Sequence, residues 1–119
     1  MARVKRGVTA HKRHKRLLKA AEGRKGTRRK LIKPAREAQL HALAYATRDR
    51  KQRKRDMREL WIIRINAAAR LNGTTYGKLI AGLKQAGVKL DRKILADIAV
   101  RDAATFGRIA EVARSASSG

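Results

Sequence analysis

The chain has no cysteine and a single proline, Pro34, in 119 residues. The missing cysteine excludes a disulfide scaffold, a zinc–thiolate site and thiol catalysis, and it suits a reducing compartment. Aromatic residues are only 3% of the chain, and none precedes Tyr45. Residues 1–44 therefore have no platform on which bases stack, the device that readers of single strands depend on. Serine does not occur before Ser115, and no apolar stretch follows the basic N-terminus. Neither a transit peptide nor a secretory signal is expected. No apolar run approaches the roughly 20 residues of a membrane helix. Residues 1–30 offer only Leu17 and Leu18 as a large apolar pair, too little for a membrane-surface helix.

Negative charge is the scarcest commodity. Nine Asp+Glu face 32 Lys+Arg, for a formal net charge of +23. The imbalance is graded: residues 1–30 hold thirteen basic side chains and one acid, Glu22. Most large apolar side chains lie beyond residue 59. The chain reads as an all-α protein with an extended basic N-terminal arm and long helix, residues 1–58, followed by a small compact helical domain, residues 59–119. An arm so charged repels itself and is expected to fold on a polyanion, by default a nucleic acid. A core of about 60 residues is near the lower size for independent folding.

In the arm, Gly7, Gly23 and Gly26 interrupt any helix longer than about 16 residues. The segment KRLLKAAE is predicted as a short helix ended by Gly23, with the remainder extended. From Leu31 to Leu71 there is no glycine, and Pro34 suits a first helical turn. The composition predicts one helix from Pro34 to Leu71, about 55 Å long. In its middle, residues 48–58 (RDRKQRKRDMR), seven of eleven side chains are basic. Like-charged i,i+4 pairs there cost about 0.2–0.5 kcal/mol each, partly recovered by Asp49 facing Arg53 and Glu59 near Arg55. A merely solvated face mixes signs, and this one does not.

Leu60, Trp61, Ile65, Ala68 and Leu71 recur at helical spacing up to an Asn72-Gly73 stop. Thr74 or Thr75 is expected to cap a second helix carrying Tyr76, Leu79, Ile80 and Leu83, ended by Gly87. Asp91 should cap a third with Ile94, Leu95 and Ile98, Leu90 and Leu95 forming a staple. Asp102 should cap a fourth with Phe106, Ile109, Ala110 and Ala113, and SASSG reads as a frayed tail.

Nothing points to catalysis. His11 and His14 sit among cations at a spacing of three, without a carboxylate, which is a poor metal site; His41 has no partner motif. GRKGT lacks the spacing of a phosphate loop, and every acid has a cap or pairing role open to it. No enzyme activity, cofactor, metal or small-molecule substrate is expected. The candidate contacts are instead cations meant for phosphates. In the arm these are Arg3, Lys5, Arg6, Lys12, Arg13, Lys15 and Arg16, then Arg24, Lys25, Arg28, Arg29 and Lys30. Arg64 and Arg70 extend the basic face into the domain. Trp61 is assigned to the core by its place on the apolar face. The Tyr76 ring fits the apolar stripe, while its hydroxyl could reach a phosphate. Asn66 is a poor helix former on a helix that prefers Ala, which suggests a specific hydrogen bond, either within the domain or to RNA.

The stretch over residues 45–90, above all RDRKQRKRDMRELWIIRINAAAR, resembles the bacterial large-subunit ribosomal protein L20 family. LDRKILADIAVRD and HKRHKRLLKAAEGRKG resemble it more loosely, so the likeness runs along almost the whole chain. It departs where the family often carries aromatics, which here are Arg24 and Lys25, residues 31–34 and Thr47. The resemblance implies an arm and long helix buried in ribosomal RNA, a small helical domain, and direct, early binding during large-subunit assembly. By it, Arg48, Arg50, Lys51, Arg53, Lys54, Arg55 and Arg58 are RNA contacts, with Arg64 and Asn66 beside them. The implied partners are large-subunit ribosomal RNA and neighbouring ribosomal proteins, for a monomer within the cytoplasmic ribosome. Two other readings remain open: a nucleoid-type DNA-packaging protein, and a translational repressor acting on a messenger leader.

Overall fold

A computed structural model describes residues 2–118. The described residues are helical and contain no strand: α1 Gly7–Ala20, a 3-10 turn Gly26–Arg29, α2 Ile32–Leu71, α3 Tyr76–Gln85, α4 Arg92–Arg101 and α5 Ala103–Ser117. The chain divides into two compact units, Met1–Lys51 and Gln52–Gly119.

In the first unit the helix α1 is longer than expected, and the arm is not extended there. It begins at Gly7 rather than near Lys15. Residues 8–20 are mostly Lys, Arg, Leu and Ala, strong helix formers whose propensity outweighs the mutual repulsion. Gly7 falls at the first position, outside the helix interior. No residue of α1 is buried; the buried side chains of this unit are Ala21 and Ala35. Helix α2 begins two residues before Pro34, which lies in the first turn, where its missing N–H costs no helical bond.

The second unit holds the core: Ile65 and Ala69 of α2, Leu79 and Leu83 of α3, Leu95 and Ala96 of α4, and Phe106, Ala110 and Ala113 of α5. Trp61, Tyr76, Ile80, Ile98 and Ile109 pack against it half-buried, so Trp61 is a core residue. Leu71, expected inside, is 89% exposed. The last turn of α2 already runs into its stop, and the apolar face ends at Ala69.

Both expected stops are Schellman turns. After α2 the Gly73 N–H donates to Arg70 O at 3.1 Å and Thr74 N–H to Ala69 O at 3.0 Å. After α3 the Gly87 N–H donates to Lys84 O and Val88 N–H to Leu83 O. The cap glycines have φ of 75° and 73°, a region costly for other residues. Asp91 Oδ1 accepts from Ile94 N–H at 2.8 Å, and Asp102 Oδ1 from Thr105 N–H at 3.0 Å, as their sequence positions predicted. Asp102 also terminates α4, so one residue serves two helices. The tail is not frayed as far as described: α5 runs to Ser117, and the Ser115, Ser117 and Ser118 hydroxyls donate back to helical carbonyls. The expected end at Gly119 lies outside the described residues.

Helices α3 and α5 meet at Gly82, which is buried. A Cβ there would collide with the Ala113 carbonyl, while one at Gly77 would meet nothing within 4 Å. Gly82→Ala should therefore destabilise the protein by about 1–3 kcal/mol, and Gly77→Ala should stabilise it by up to about 1 kcal/mol; denaturant melts of the two variants check the contrast. The Thr105 hydroxyl and N–H, bonded to Asp102, hold its carboxyl below the usual carboxylate range. A lowered folded pKa means that the cap's stabilisation is complete above the unfolded carboxylate pKa and is lost as pH falls through the folded value. Melting temperature should thus fall on acidification more in wild type than in Asp102→Asn, which keeps a capping side chain but cannot titrate.

Candidate nucleic-acid interface

Helix α2 owes its functional character to what fails to cover it. Every residue from 47 to 60 is exposed. The cations Arg48, Arg50, Lys51, Arg53, Lys54, Arg55 and Arg58 are therefore all open to solvent, while Asp49, Gln52 and Asp56 share the remaining face of this stretch. A helix that is polar all round lacks the apolar stripe from which tertiary packing derives helical stability.

Acid pairing along it differs from the expected pattern. Asp49 pairs with its neighbour Arg48 at 2.9 Å, not with Arg53. Asp56 accepts from Gln52 at 2.7 Å. Among the described residues no ion pair joins Glu59 to Arg55. These carboxylates are short and solvent-exposed, so the nearest donor captures them at little cost, and such pairs contribute little. Among the described residues, six of the seven cations in residues 48–58 thus have no carboxylate partner.

The remaining candidates fall into three groups. Arg3, Lys5 and Arg6 precede α1, and Lys12, Arg13, Lys15 and Arg16 lie exposed on it. Lys25, Arg28, Arg29 and Lys30 are exposed in and beside the 3-10 turn, whereas Arg24 is half-buried. Arg24 Nη2 donates to Gln39 Oε1 at 2.7 Å, and its Nη1 is buried without a protein partner. Arg64 and Arg70 are exposed on α2. Asn66 is half-buried, and its Oδ1 accepts from Tyr76 N–H at 3.2 Å. It thereby does what Thr75 does not, since the Thr75 side chain makes no cap bond to α3. The Tyr76 hydroxyl is likewise engaged, accepting from Arg92 Nε at 2.7 Å. Arg64 and Trp61 line an open groove with Asp91, Lys93 and Asp97, where both signs of charge meet.

One arrangement escaped the reading of the sequence. Gly23, Arg24, Lys25 and Arg28 face Pro34, Glu37, Ala38, His41, Ala42 and Tyr45 across a cleft of about 710 Å³. His41 approaches the Tyr45 ring edge-on with centroids 6.0 Å apart, and the Arg48 guanidinium lies 4.7 Å from the Tyr45 centroid. The available signal was the i,i+4 spacing of Glu37, His41 and Tyr45 on one helix face.

Helices without a strand among the described residues, in a chain with a formal net charge of +23, place it in a class of small, strongly basic helical proteins. A family model described as "Ribosomal protein L20" matches residues 3–109. The chain is 61% identical over 114 residues to "Large ribosomal subunit protein bL20" of Roseiflexus castenholzii, covering 96% of this chain and 97% of that one. It is 60% identical to the protein of the same name from Thermomicrobium roseum, covering 98% and 99%. The Moorella thermoacetica protein of that name is 57% identical, covering 96% and 94%. The chain belongs to the ribosomal protein L20 family.

If the Asn66 side chain serves the fold, Asn66→Ala should cost about 1 kcal/mol in a denaturant melt and loosen amide protection at Tyr76. An unchanged melt would transfer Asn66 to the RNA-binding surface.

Proposed function

We propose that this chain is a structural component of the large ribosomal subunit, binding ribosomal RNA directly and promoting early subunit assembly in the cytoplasm. The observation that carries the reading is the stretch 47–60 of α2, exposed throughout and dominated by cations, in a chain that aligns over nearly its full length with large-subunit proteins. A helix of this composition gains a covering surface when phosphates converge on it, and each neutralised phosphate releases counterions. Residues 1–58 supply the RNA contacts, among them Arg48, Arg50, Lys51, Arg53, Lys54, Arg55 and Arg58. Residues 59–119 form a helical anchor with Arg64 and Arg70 on its margin, beside neighbouring ribosomal proteins. No enzymatic step is part of this role.

A DNA-packaging function fits less well. Packaging proteins commonly dimerise and work in the duplex minor groove, yet residues 47–60 offer only Met57 and Leu60 as large apolar side chains for a seam. Affinity for folded large-subunit RNA against duplex DNA at matched salt separates the two.

Replacing Arg53, Lys54 and Arg55 together by Gln keeps helix propensity nearly constant. If all three meet phosphates, the slope of log affinity against log salt should fall by about 2–3 units, at roughly 0.7–0.9 per phosphate. The melt should hardly move, because these side chains are exposed. An unchanged slope would reduce the run to a solvated face.

A further inference from the structure

We infer that the cleft between the 3-10 turn Gly26–Arg29 and the first half of α2 holds a single unpaired nucleotide of the bound RNA, with its phosphate at Arg24 and its base against Tyr45. The inference rests on the RNA-binding reading above and gives it one defined subsite.

Three observations converge. Arg24 is held in place by the bond from its Nη2 to Gln39, yet its Nη1 is buried with no acceptor among the described residues. A guanidinium is always charged, and leaving one of its N–H groups buried and unpaired is costly. With Nη2 bonded to Gln39 and Nη1 covered, Arg24 contributes its positive charge to the cleft rather than a free two-pronged fork. Lys25 and Arg28 line the same side of the cleft, so an anion entering there meets three cations.

The opposite side has different chemistry. Pro34, Ala38 and Ala42 are apolar, and Tyr45 adds an aromatic ring that is 50% exposed. Arg48 lies 4.7 Å from the ring centroid and is not part of the cleft lining. The exposed ring offers a surface on which a base can stack. His41, edge-on to Tyr45, closes one flank.

Glu37 is the one carboxylate on the lining, 4.0 Å from His41 Nε2. It repels a phosphate and accepts from an exocyclic amino group. The phosphate therefore belongs with Arg24, Lys25 and Arg28, and the base edge with Glu37. The cleft volume of about 710 Å³ accommodates a nucleotide with its ribose. Duplex RNA does not offer a base this way, since its bases are stacked inside the helix; a bulge or loop does.

The test uses the full-length protein and transcribed large-subunit ribosomal RNA, with duplex DNA at matched salt as the reference. Ultraviolet crosslinking followed by peptide mass analysis should attach one nucleotide to the peptide carrying His41 and Tyr45. Tyr45→Leu should abolish that crosslink and weaken RNA binding about tenfold with an unchanged salt slope, as loss of one stacked base does. Tyr45→Phe, which keeps the ring, should bind like wild type and so controls for folding. Arg24→Gln should lower the salt slope by about 0.7, one single-strand phosphate. If Tyr45→Leu binds as wild type and the crosslink falls elsewhere, the nucleotide subsite is wrong even though the protein binds RNA. If Arg24→Gln lowers the slope while Tyr45→Leu changes nothing, the cleft takes a backbone phosphate alone, and the proposal is overturned. If wild type prefers RNA no more than duplex DNA, the RNA-binding reading itself falls.

Discussion

Repulsion among like charges along one helix is the constraint on which the rest of this protein depends. Residues 48–58 put seven cations and two acids on one helical stretch whose every residue is exposed. At i,i+4 spacing each like pair costs a few tenths of a kcal/mol, and an exposed Asp or Glu returns little of it. What keeps the segment helical is the intrinsic preference of Arg, Lys, Gln and Met for the helix. The same cations that burden the free helix become favourable contacts once phosphates surround them, so the weakness of the isolated helix and its suitability for RNA have one origin.

The second unit answers that constraint by anchoring the helix. Ile65 and Ala69 bury the end of α2 against α3, α4 and α5. Small residues make this possible in so short a chain: Gly82 lets α3 approach the α5 backbone, and Ala96, Ala110 and Ala113 fill the remaining space. Polar connections then fix the helix ends. Asn66 receives the first N–H of α3, Arg114 donates to the Asn72 carbonyl at the end of α2, and Asp102 joins α4 to α5. Asn66 and Tyr76, both of which the sequence offered to RNA, also make hydrogen bonds within the domain.

Membership of the ribosomal protein L20 family accounts for the combination of a basic helix without cover and a small anchor. The Arg24 cleft is built on the first half of that same helix. There an aromatic ring, a guanidinium and a carboxylate share one lining, a mixed chemistry on which the proposed nucleotide subsite rests.

Much of the architecture was determined by local signals in the sequence. Glycine-free composition set the span of α2, Asn72-Gly73 and Gly87 set two helix stops, and Asp91 and Asp102 set two starts, because caps and stops act over three to five residues. The cationic surface was equally legible, since no fold of 119 residues could bury 32 basic side chains. The length of α1 was not, because propensity and repulsion nearly balance there and the glycine spacing left both outcomes open. The role of Asn66, the exposure of Leu71 and the cleft between Arg24 and Tyr45 were decided only by tertiary structure. The first and last of these depend on residues 10 or more apart in sequence meeting in space, as Arg24 does with Gln39 fifteen residues on, and no periodicity or cap rule reaches that far.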